Sequence, residues 1–445
     1  MCSILFTSKD INDFNITNKK LKYRGPDYTG TEKINGYTFI HNLLSITGDF
    51  TKQPFIEDDI VCMFNGQIYN YLEFGDYTSD GLCLIPLYKE FGKNFIKKLD
   101  GEFIILLADF NKRELILSTD IIGTKPMWIG ESSENFGVST YSSPLDELGY
   151  EKITKVDGNT TLIYDLDNFD LKEKISVYDF DLSQYKDSFV DWNDAFEKSI
   201  SKRINGIREH LFMGLSSGYD SGTIASELLK QNVSFKSYTI IGMEDIDIID
   251  SRYNIINKVV EHDIINITLE DEKFLKKYIV DRVEEFQYRI YNTEGDFIDD
   301  QNLYDDTGAM GLAFICRKAK KENRKIYLSG SGADEIFSDY GFNGVKKFPH
   351  SNFGGLFPKD LSTIFPWPSF YKSSQESYLI KEEYVAGSFG LETRYPFLDK
   401  DVIQEFMWLD MDLKNSNYKS VLHNYLLEND FPFLKDKKIG FAWSL

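Results

Sequence analysis

The sequence predicts two domains of different class. An α+β, strand-dominated domain is expected over residues 1–180, and an α/β domain with a doubly wound parallel sheet over residues 190–445. Three observations carry this. The chain has 445 residues, too many for one ordinary domain. Its first third reads as short apolar strands separated by turn residues. Beyond about residue 190, helix-length segments alternate with short apolar runs, the pattern of a parallel sheet with crossover helices.

In the first region the strands are Gly36–Ile40, Ile60–Phe64, Phe103–Ala108 and Glu114–Ser118. Asn35-Gly36, Asn65-Gly66 and Asp100-Gly101 read as turns between them. One helix is expected from Asp80 through Leu99. The polar stretch around Asp179–Asp187 places the domain boundary between about 170 and 190. In the second region Asp191–Asn205 and Ile248–Val260 read as helices. Leu211–Leu215, Ser237–Ile241 and Lys325–Leu328 read as strands.

Composition narrows the function classes. A net charge of −21 makes nucleic acid and membrane surfaces poor partners, because both select basic patches. Its bland reading is solubility. The four cysteines, at 2, 62, 83 and 316, form no CxxC pair or zinc spacing and suggest free thiols in a reducing, cytoplasmic compartment. No apolar run has the length of a membrane span, and the N-terminus lacks a signal-peptide layout.

Two segments carry candidate chemistry. The chain opens Met1-Cys2-Ser3-Ile4. Removal of Met1 would put a thiol and a free α-amine on Cys2, a nucleophile and a general base on one residue. Further on, the apolar strand ending at Leu215 runs into Ser216-Ser217-Gly218-Tyr219-Asp220-Ser221 and then a helix from Thr223. Small residues before a helix let backbone N–H groups face an anion. Asp220 suits such a cradle if magnesium accompanies a phosphate. An ordinary small-residue turn is the competing reading of this segment alone. Ser329-Gly330-Ser331-Gly332-Ala333-Asp334-Glu335 repeats the logic after the strand Ile326–Leu328.

With these motifs in order, the chain resembles the asparagine synthetase family. Such proteins join a class II glutamine amidotransferase domain, of the Ntn-hydrolase type with αββα layers, to an ATP-pyrophosphatase synthetase domain. The resemblance runs from Cys2 to about Phe441. It rests on Arg24–Asp27, Phe64–Asn70, Ser79-Asp80, Leu99–Phe103, Gly123–Pro126, Leu215–Ser221, Ser329–Glu335, Glu392–Asp399 and Lys419.

The resemblance implies that Cys2 attacks the side-chain amide of glutamine, with Asn65 and the Gly66 N–H as the oxyanion hole. Asp80 would hold the α-amine of glutamine. Ammonia would then pass inside the protein to a site where ATP adenylates a small carboxylate acceptor. Leu215, Ser216, Ser217, Gly218, Asp220, Ser221, Ile241 and Gly330 would bind ATP. Asp220 and Asp334 would hold Mg2+, and Lys419 would stabilise charge developing on the phosphate. A homodimer is compatible with the family.

Several positions depart from the family pattern. Leu43 replaces an Arg that clamps the glutamine carboxylate, a loss of about 2–3 kcal/mol unless another cation such as Lys52 or Arg24 takes over. Ser331 replaces a Glu that is a candidate base for the attacking amine. The Tyr304–Met310 stretch lacks the family's Thr- and Arg-containing segment and carries Asp305-Asp306, a poor receiver for aspartate. His423 stands where Arg is usual, and the region after Lys437–Phe441 is shorter than in typical members. Three readings follow: an amide ligase with a non-aspartate acceptor, a genuine asparagine synthetase with relaxed motifs, and a catalytically reduced binding protein on the same fold. The retained Cys2, Asn65, Gly66, Asp80, Asp220, Asp334 and Lys419 favour the first two.

Overall fold

The computed structural model describes residues 1–207, 210–242, 244–257, 260–291 and 297–437. The end of the Lys437–Phe441 tract and part of the expected Ile248–Val260 helix lie outside the described residues. The chain divides into two compact units. The first is Met1–Asp179 with the short segments Arg282–Glu284 and Gly387–Leu391, and the second is the remainder.

The first unit holds two six-stranded antiparallel sheets. Its strands are β1 (Ser3–Thr7), β2 (Tyr28–Ile34), β3 (Tyr37–Leu43), β4 (Phe55–Glu57), β5 (Ile60–Ile68), β6 (Gly101–Asp109), β7 (Glu114–Thr119), β8 (Trp128–Ser132), β9 (Asn135–Ser139), β10 (Lys152–Lys155), β11 (Thr160–Asp165) and β12 (Leu171–Ser176). One sheet runs β10-β8-β9-β1-β3-β2 and the other β12-β11-β7-β6-β5-β4. Strand periodicity explains how they stack. Val61 and Met63 of β5 join Ile4, Phe6 and Phe39 of the facing sheet in one core. Ile60, Cys62 and Phe64 point the other way, against Leu84, Leu87 and Tyr88 of the Leu84–Phe91 helix.

Two local expectations are corrected. Asn65-Gly66 is not a turn but lies within β5, opposite Ile104 and Phe103. Gly66 has φ +139, and a Cβ there would stand 1.9 Å from the Glu102 carbonyl oxygen. This glycine therefore serves a close strand approach rather than a reversal. The single helix expected over Asp80–Leu99 is a 3-10 turn at Asp80–Cys83, an α-helix at Leu84–Phe91 and a 3-10 segment at Gly92–Lys98. Gly92, at φ +57, ends the α-helix.

The second unit is built on a five-stranded parallel sheet. It uses β13 (Leu211–Gly214), β14 (Lys236–Ile240) and β15 (Glu261–Ile265), and after a hairpin of β16 (Gln287–Tyr291) and β17 (Phe297–Asn302) it adds β18 (Ile326–Leu328). A short hairpin, β19 (Gly341–Phe342) and β20 (Val345–Lys346), precedes the last strand, β21 (Glu392–Arg394). The sheet order is β15-β14-β13-β18-β21. Chain order moves outward from β13 on one side and restarts at β18 on the other. Such a reversal opens a crevice at the carboxyl ends of the two strands. Both small-residue turns singled out from the sequence leave those ends. Among the described residues no helix is long and apolar enough to cross a membrane.

The Glu392–Asp399 motif anchors this unit. Asp399 caps the Lys400–Trp408 helix and pairs with Lys202 at 2.6 Å and Arg203 at 2.7 Å on the Val190–Ile204 helix. Arg394 donates to Glu392 at 2.7 Å and to the Arg203 carbonyl at 2.6 Å. Burial disfavours the Asp399 carboxylate, but the two cations prevail and hold its pKa far below the usual carboxylate range. The stability this provides is present above that range and is lost as pH falls through the depressed pKa. Asp399→Asn is therefore expected to cost about 3–5 kcal/mol, because it strands the buried Arg203 and the partly buried Lys202. Urea unfolding at neutral pH measures it. A cost below about 1 kcal/mol would show that the cluster is not an anchor.

Candidate functional site

In the first unit β1 carries Cys2 to the edge of β3. Ser3 is paired with Asn42, so Cys2 lies beside the residues that follow. The Leu44 N–H points at the Cys2 sulfur at 3.4 Å. Arg24 is fully buried. Its Nε donates to the Cys2 carbonyl at 2.8 Å, and its Nη2 faces the sulfur of Met1 at 3.0 Å. Arg24 thus fixes the main chain of Cys2. Like Cys2, the other three cysteines are buried, and burial raises their thiol pKa values, that of Cys83 to about 12. They are poor nucleophiles.

The strand β5 supplies the second half of this site. His41 of β3 donates through Nε2 to the Phe64 carbonyl at 3.1 Å. Burial depresses the His41 pKa to about 3, so the ring is neutral and bridges the two sheets as a donor. The next residue, Asn65, is fully buried, and neither polar atom of its side chain has a hydrogen-bond partner. An orphaned buried amide costs about 1–3 kcal/mol per group and calls for a functional reason. Two residues on, Gln67 donates to Asp80 at 2.8 Å and accepts from Thr47 at 2.7 Å. Asp80 also accepts from the Ile68 N–H at 2.9 Å and the Gly81 N–H at 3.1 Å.

In the second unit the turn after β13 is an anion cradle. The Ser217 N–H and hydroxyl both donate to Glu244, each at 2.5 Å. A protein carboxylate therefore already rests where the sequence suggested a phosphate. Ser216 and Ser221 hold each other through their hydroxyls at 2.8 Å. Arg252, from the Ile246–Ile256 helix, is fully buried and donates to the carbonyls of Ser216 and Gly218, the latter at 3.0 Å. Burial lowers its pKa to about 9, against the pull of Glu244 and Asp220, so it stays charged at neutral pH. Gly222 makes room for it, since a Cβ there would meet Arg252 Nη2 at 2.3 Å.

The turn after β18 meets this cradle. A Cβ on Gly330 would stand 2.8 Å from the Asp220 Cβ. Lys419 lies between the two turns, 2.5 Å from Asp220 and 2.9 Å from Asp334, and Tyr418 donates to Asp334 at 2.7 Å. Burial opposes the Lys419 charge, but the two carboxylates hold its pKa above the ordinary lysine value.

A glutamine amidotransferase domain family matches residues 1–166, and an asparagine synthase family matches residues 191–360. A putative glutamine-hydrolyzing asparagine synthetase of Methanocaldococcus jannaschii is 24% identical, over 89% of this chain and 77% of its own length. A probable asparagine synthetase of Schizosaccharomyces pombe is 26% identical, over 93% and 77%. An asparagine synthetase of Saccharomyces cerevisiae is 24% identical, over 97% and 80%. The chain belongs to the asparagine synthetase family.

The expected residues fall into two groups. Cys2, Arg24, Asn65, Gly66 and Asp80 lie in the first unit: Cys2 just before β1, Arg24 at the end of the Lys19–Arg24 helix, Asn65 and Gly66 on β5, and Asp80 at the start of the Asp80–Cys83 turn. Asp220, Gly330, Asp334 and Lys419 meet at the mouth of the β13–β18 crevice. Ile241 follows β14; its N–H donates to the Ile265 carbonyl at 3.0 Å, and its side chain is 39% exposed. Leu215 is buried, its N–H donates to the Tyr238 carbonyl at 2.8 Å and its carbonyl accepts from the Thr239 hydroxyl at 2.5 Å. Its main chain is already engaged by β14.

Sequence reasoning missed His41, Gln67, Glu244 and Arg252, and also Glu382, whose carboxylate accepts from the Ser329 hydroxyl at 2.6 Å and the Ser331 hydroxyl at 3.0 Å. Only Arg252 had a local signal, as an arginine on the otherwise apolar face of a helix, with a glycine inside the helix it meets. Gly222→Ala and Arg252→Leu are each expected to cost about 2–3 kcal/mol in chemical unfolding. The double variant should cost far less than their sum, because both remove the same guanidinium contacts. Additive costs would uncouple the two residues.

Proposed function

We propose that this protein is a glutamine-dependent amide ligase that adenylates a carboxylate with ATP and amidates it with ammonia. The observation that carries this is the Asp220–Lys419–Asp334 cluster at the mouth of two strand-end turns. Ser216, Ser217, Gly218 and Ser221 would cradle the ATP phosphates, displacing Glu244 from Ser217. Ile241 and Gly330 would line the nucleoside. Lys419 would stabilise charge developing on the α-phosphate.

Asp220 and Asp334 fit Mg2+, which binds through one or two carboxylates together with substrate phosphates. Both are already gathered around one ammonium. Among the described residues no cluster of three or more His, Cys, Asp or Glu side chains would hold a metal without such phosphates. When bound, magnesium neutralises the pyrophosphate charge.

In the first unit, loss of Met1 would expose the Cys2 amine as base for its own thiol. Asn65, with its unpartnered amide, and the Gly66 N–H would take the oxyanion of the tetrahedral intermediate. Asp80 would receive the α-amine of glutamine. Leu43 is buried on β3 and offers the carboxylate no donor. Of the two substitute cations, Arg24 is engaged with the Cys2 carbonyl. Lys52 lies 4.8 Å over the ring of Tyr28, the strand partner of Leu43.

The acceptor reading favours a carboxylate other than aspartate. Asp306 is paired with Lys381 at 3.1 Å, which removes part of the repulsion inferred from sequence. Asp305 is half exposed with Lys276 at 4.0 Å, and Glu382 adds a further acid beside Ser331. A dianionic acceptor gains little there. The names of the relatives favour the second reading, asparagine synthesis itself.

AMP and pyrophosphate are the expected nucleotide products, and Asp220→Asn should lower their formation at least ~100-fold while circular dichroism stays unchanged. ADP and orthophosphate would overturn the adenylation reading. Asparagine formation from aspartate, ATP and ammonia is expected to be slow. Turnover near ~1 per second, within the usual enzyme range, would establish aspartate as acceptor.

For the donor, glutaminase activity should vanish in Cys2→Ala while ammonia still supports amide formation. The KM for glutamine should be high and should fall in Leu43→Arg. A micromolar KM that Leu43→Arg leaves unchanged would show that another residue, with Lys52 the first to test, already binds the carboxylate.

A further inference from the structure

We propose that Glu382 is the general base that takes the proton from the attacking amine in the synthetase unit, a duty for which the Ser329–Gly332 turn carries no carboxylate of its own. The inference rests on the adenylation reading above.

The geometry is specific. Glu382 lies on the Ser374–Ser388 helix, remote in sequence from the turn. One of its oxygens accepts from the Ser329 hydroxyl at 2.6 Å and the other from the Ser331 hydroxyl at 3.0 Å. The Ser329 oxygen in turn accepts from the Ser331 N–H at 3.0 Å. The opposite side of the same turn rests on Asp220 through Gly330. A single turn therefore separates the Glu382 carboxylate from the carboxylate pair that Lys419 holds. Glu382 is partly buried and keeps some exposed surface.

The surroundings tune it for proton transfer. Burial raises its pKa to about 7, with Ser329, Ser331 and Lys381 opposing and Glu383 adding to the rise. Cys316 from the Thr307–Lys321 helix and Tyr327 from β18 also face it. Both are held neutral, since the Glu382 charge and their own burial raise their pKa values. Lys381 is partly spent on Asp306 at 3.1 Å. A base with a pKa near the working pH is the most effective one.

The step balances. The ammonia lone pair forms a C–N bond at the acyl carbon of the adenylate. The C–O bond to the phosphate breaks, and AMP leaves with the electron pair. One N–H proton goes to Glu382 and from there to water.

A bracing role for Glu382 is the alternative, and two half-reactions separate them. The full-length protein is assayed with ATP, magnesium and whichever of L-aspartate, L-glutamate, D-glucuronate and D-galacturonate gives the fastest acid-dependent ATP–pyrophosphate exchange. Exchange reports adenylation, and amide formation with ammonium chloride at fixed free ammonia reports transfer. Glu382→Gln keeps the side-chain shape and hydrogen bonds to the serines. It is expected to leave exchange within about threefold and to lower transfer at least ~100-fold, with loss of the rise in transfer through pH 7. Adding Ser331→Glu to Glu382→Gln should recover at least tenfold of the lost transfer, on the order of the contribution of one general base. Equal loss of exchange and transfer assigns Glu382 to bracing and overturns the inference, as does unchanged transfer. Absence of exchange with every acid in the unaltered protein overturns the adenylation reading and this inference with it.

Discussion

The synthetase unit depends on one ammonium group held between two carboxylates. Asp220 begins the helix after β13, and Asp334 begins the helix after β18. The sheet order makes these strands neighbours and so forces the two acids together. Two carboxylates at this separation repel unless a cation joins them. Lys419 does so with its backbone in the left-handed region, at φ +49, a conformation a lysine seldom adopts without reason. One positive charge against two negatives leaves a residual negative charge at the crevice mouth. That residue of charge is what a divalent cation and its phosphates would balance.

The glutaminase unit shows the opposite economy, with a polar group left unsatisfied. Asn65 is sealed inside β5 without a partner for its amide, whereas its neighbours Phe64 and Gln67 are bonded across the site. The strand is held rigid on both sides. His41 ties it to the facing sheet, and Gly66 lets it approach Glu102 closely. A donor fixed in this way needs no reorganisation when charge develops in front of it, which is the basis of oxyanion stabilisation. The stability forgone at Asn65 is small beside the burial of the surrounding aromatic and aliphatic core.

Local pattern made most of the fold legible. The uninterrupted apolar runs Ile60–Phe64 and Phe103–Ala108 mark strands that face two cores at once, and the strand–turn–helix order around Leu215 gives the parallel sheet. The failures have physical causes. Asn65-Gly66 has the composition of a turn, but its glycine answers a tertiary contact that no local rule registers. The Asp80–Leu99 segment has helical composition throughout, yet Gly92 interrupts it. Cys2 and Asp220 stand out as residue types suited to chemistry, whereas Asn65 and Lys419 are pointed to only by the resemblance to the family. Glu244, Arg252 and Glu382 do not stand out, because each acts on a turn that only the folded chain brings near.

The departures from the family pattern make the same point more sharply. Read along the chain, Ser331, His423 and Leu43 each look like a lost charge. In space they differ. Ser331 lies against Glu382, so a carboxylate returns to the turn from another helix. His423 is bonded to the Tyr219 hydroxyl at 3.2 Å and packs on Phe433, and burial lowers its pKa, with Asp436 opposing and the charge of Lys435 adding to the fall. Leu43 is buried, and the nearby cation Lys52 belongs to an exposed loop. A missing charge in a motif is therefore not one kind of event. Its consequence depends on whether the fold brings a replacement within hydrogen-bond reach, and here that condition is met at the Ser329–Gly332 turn.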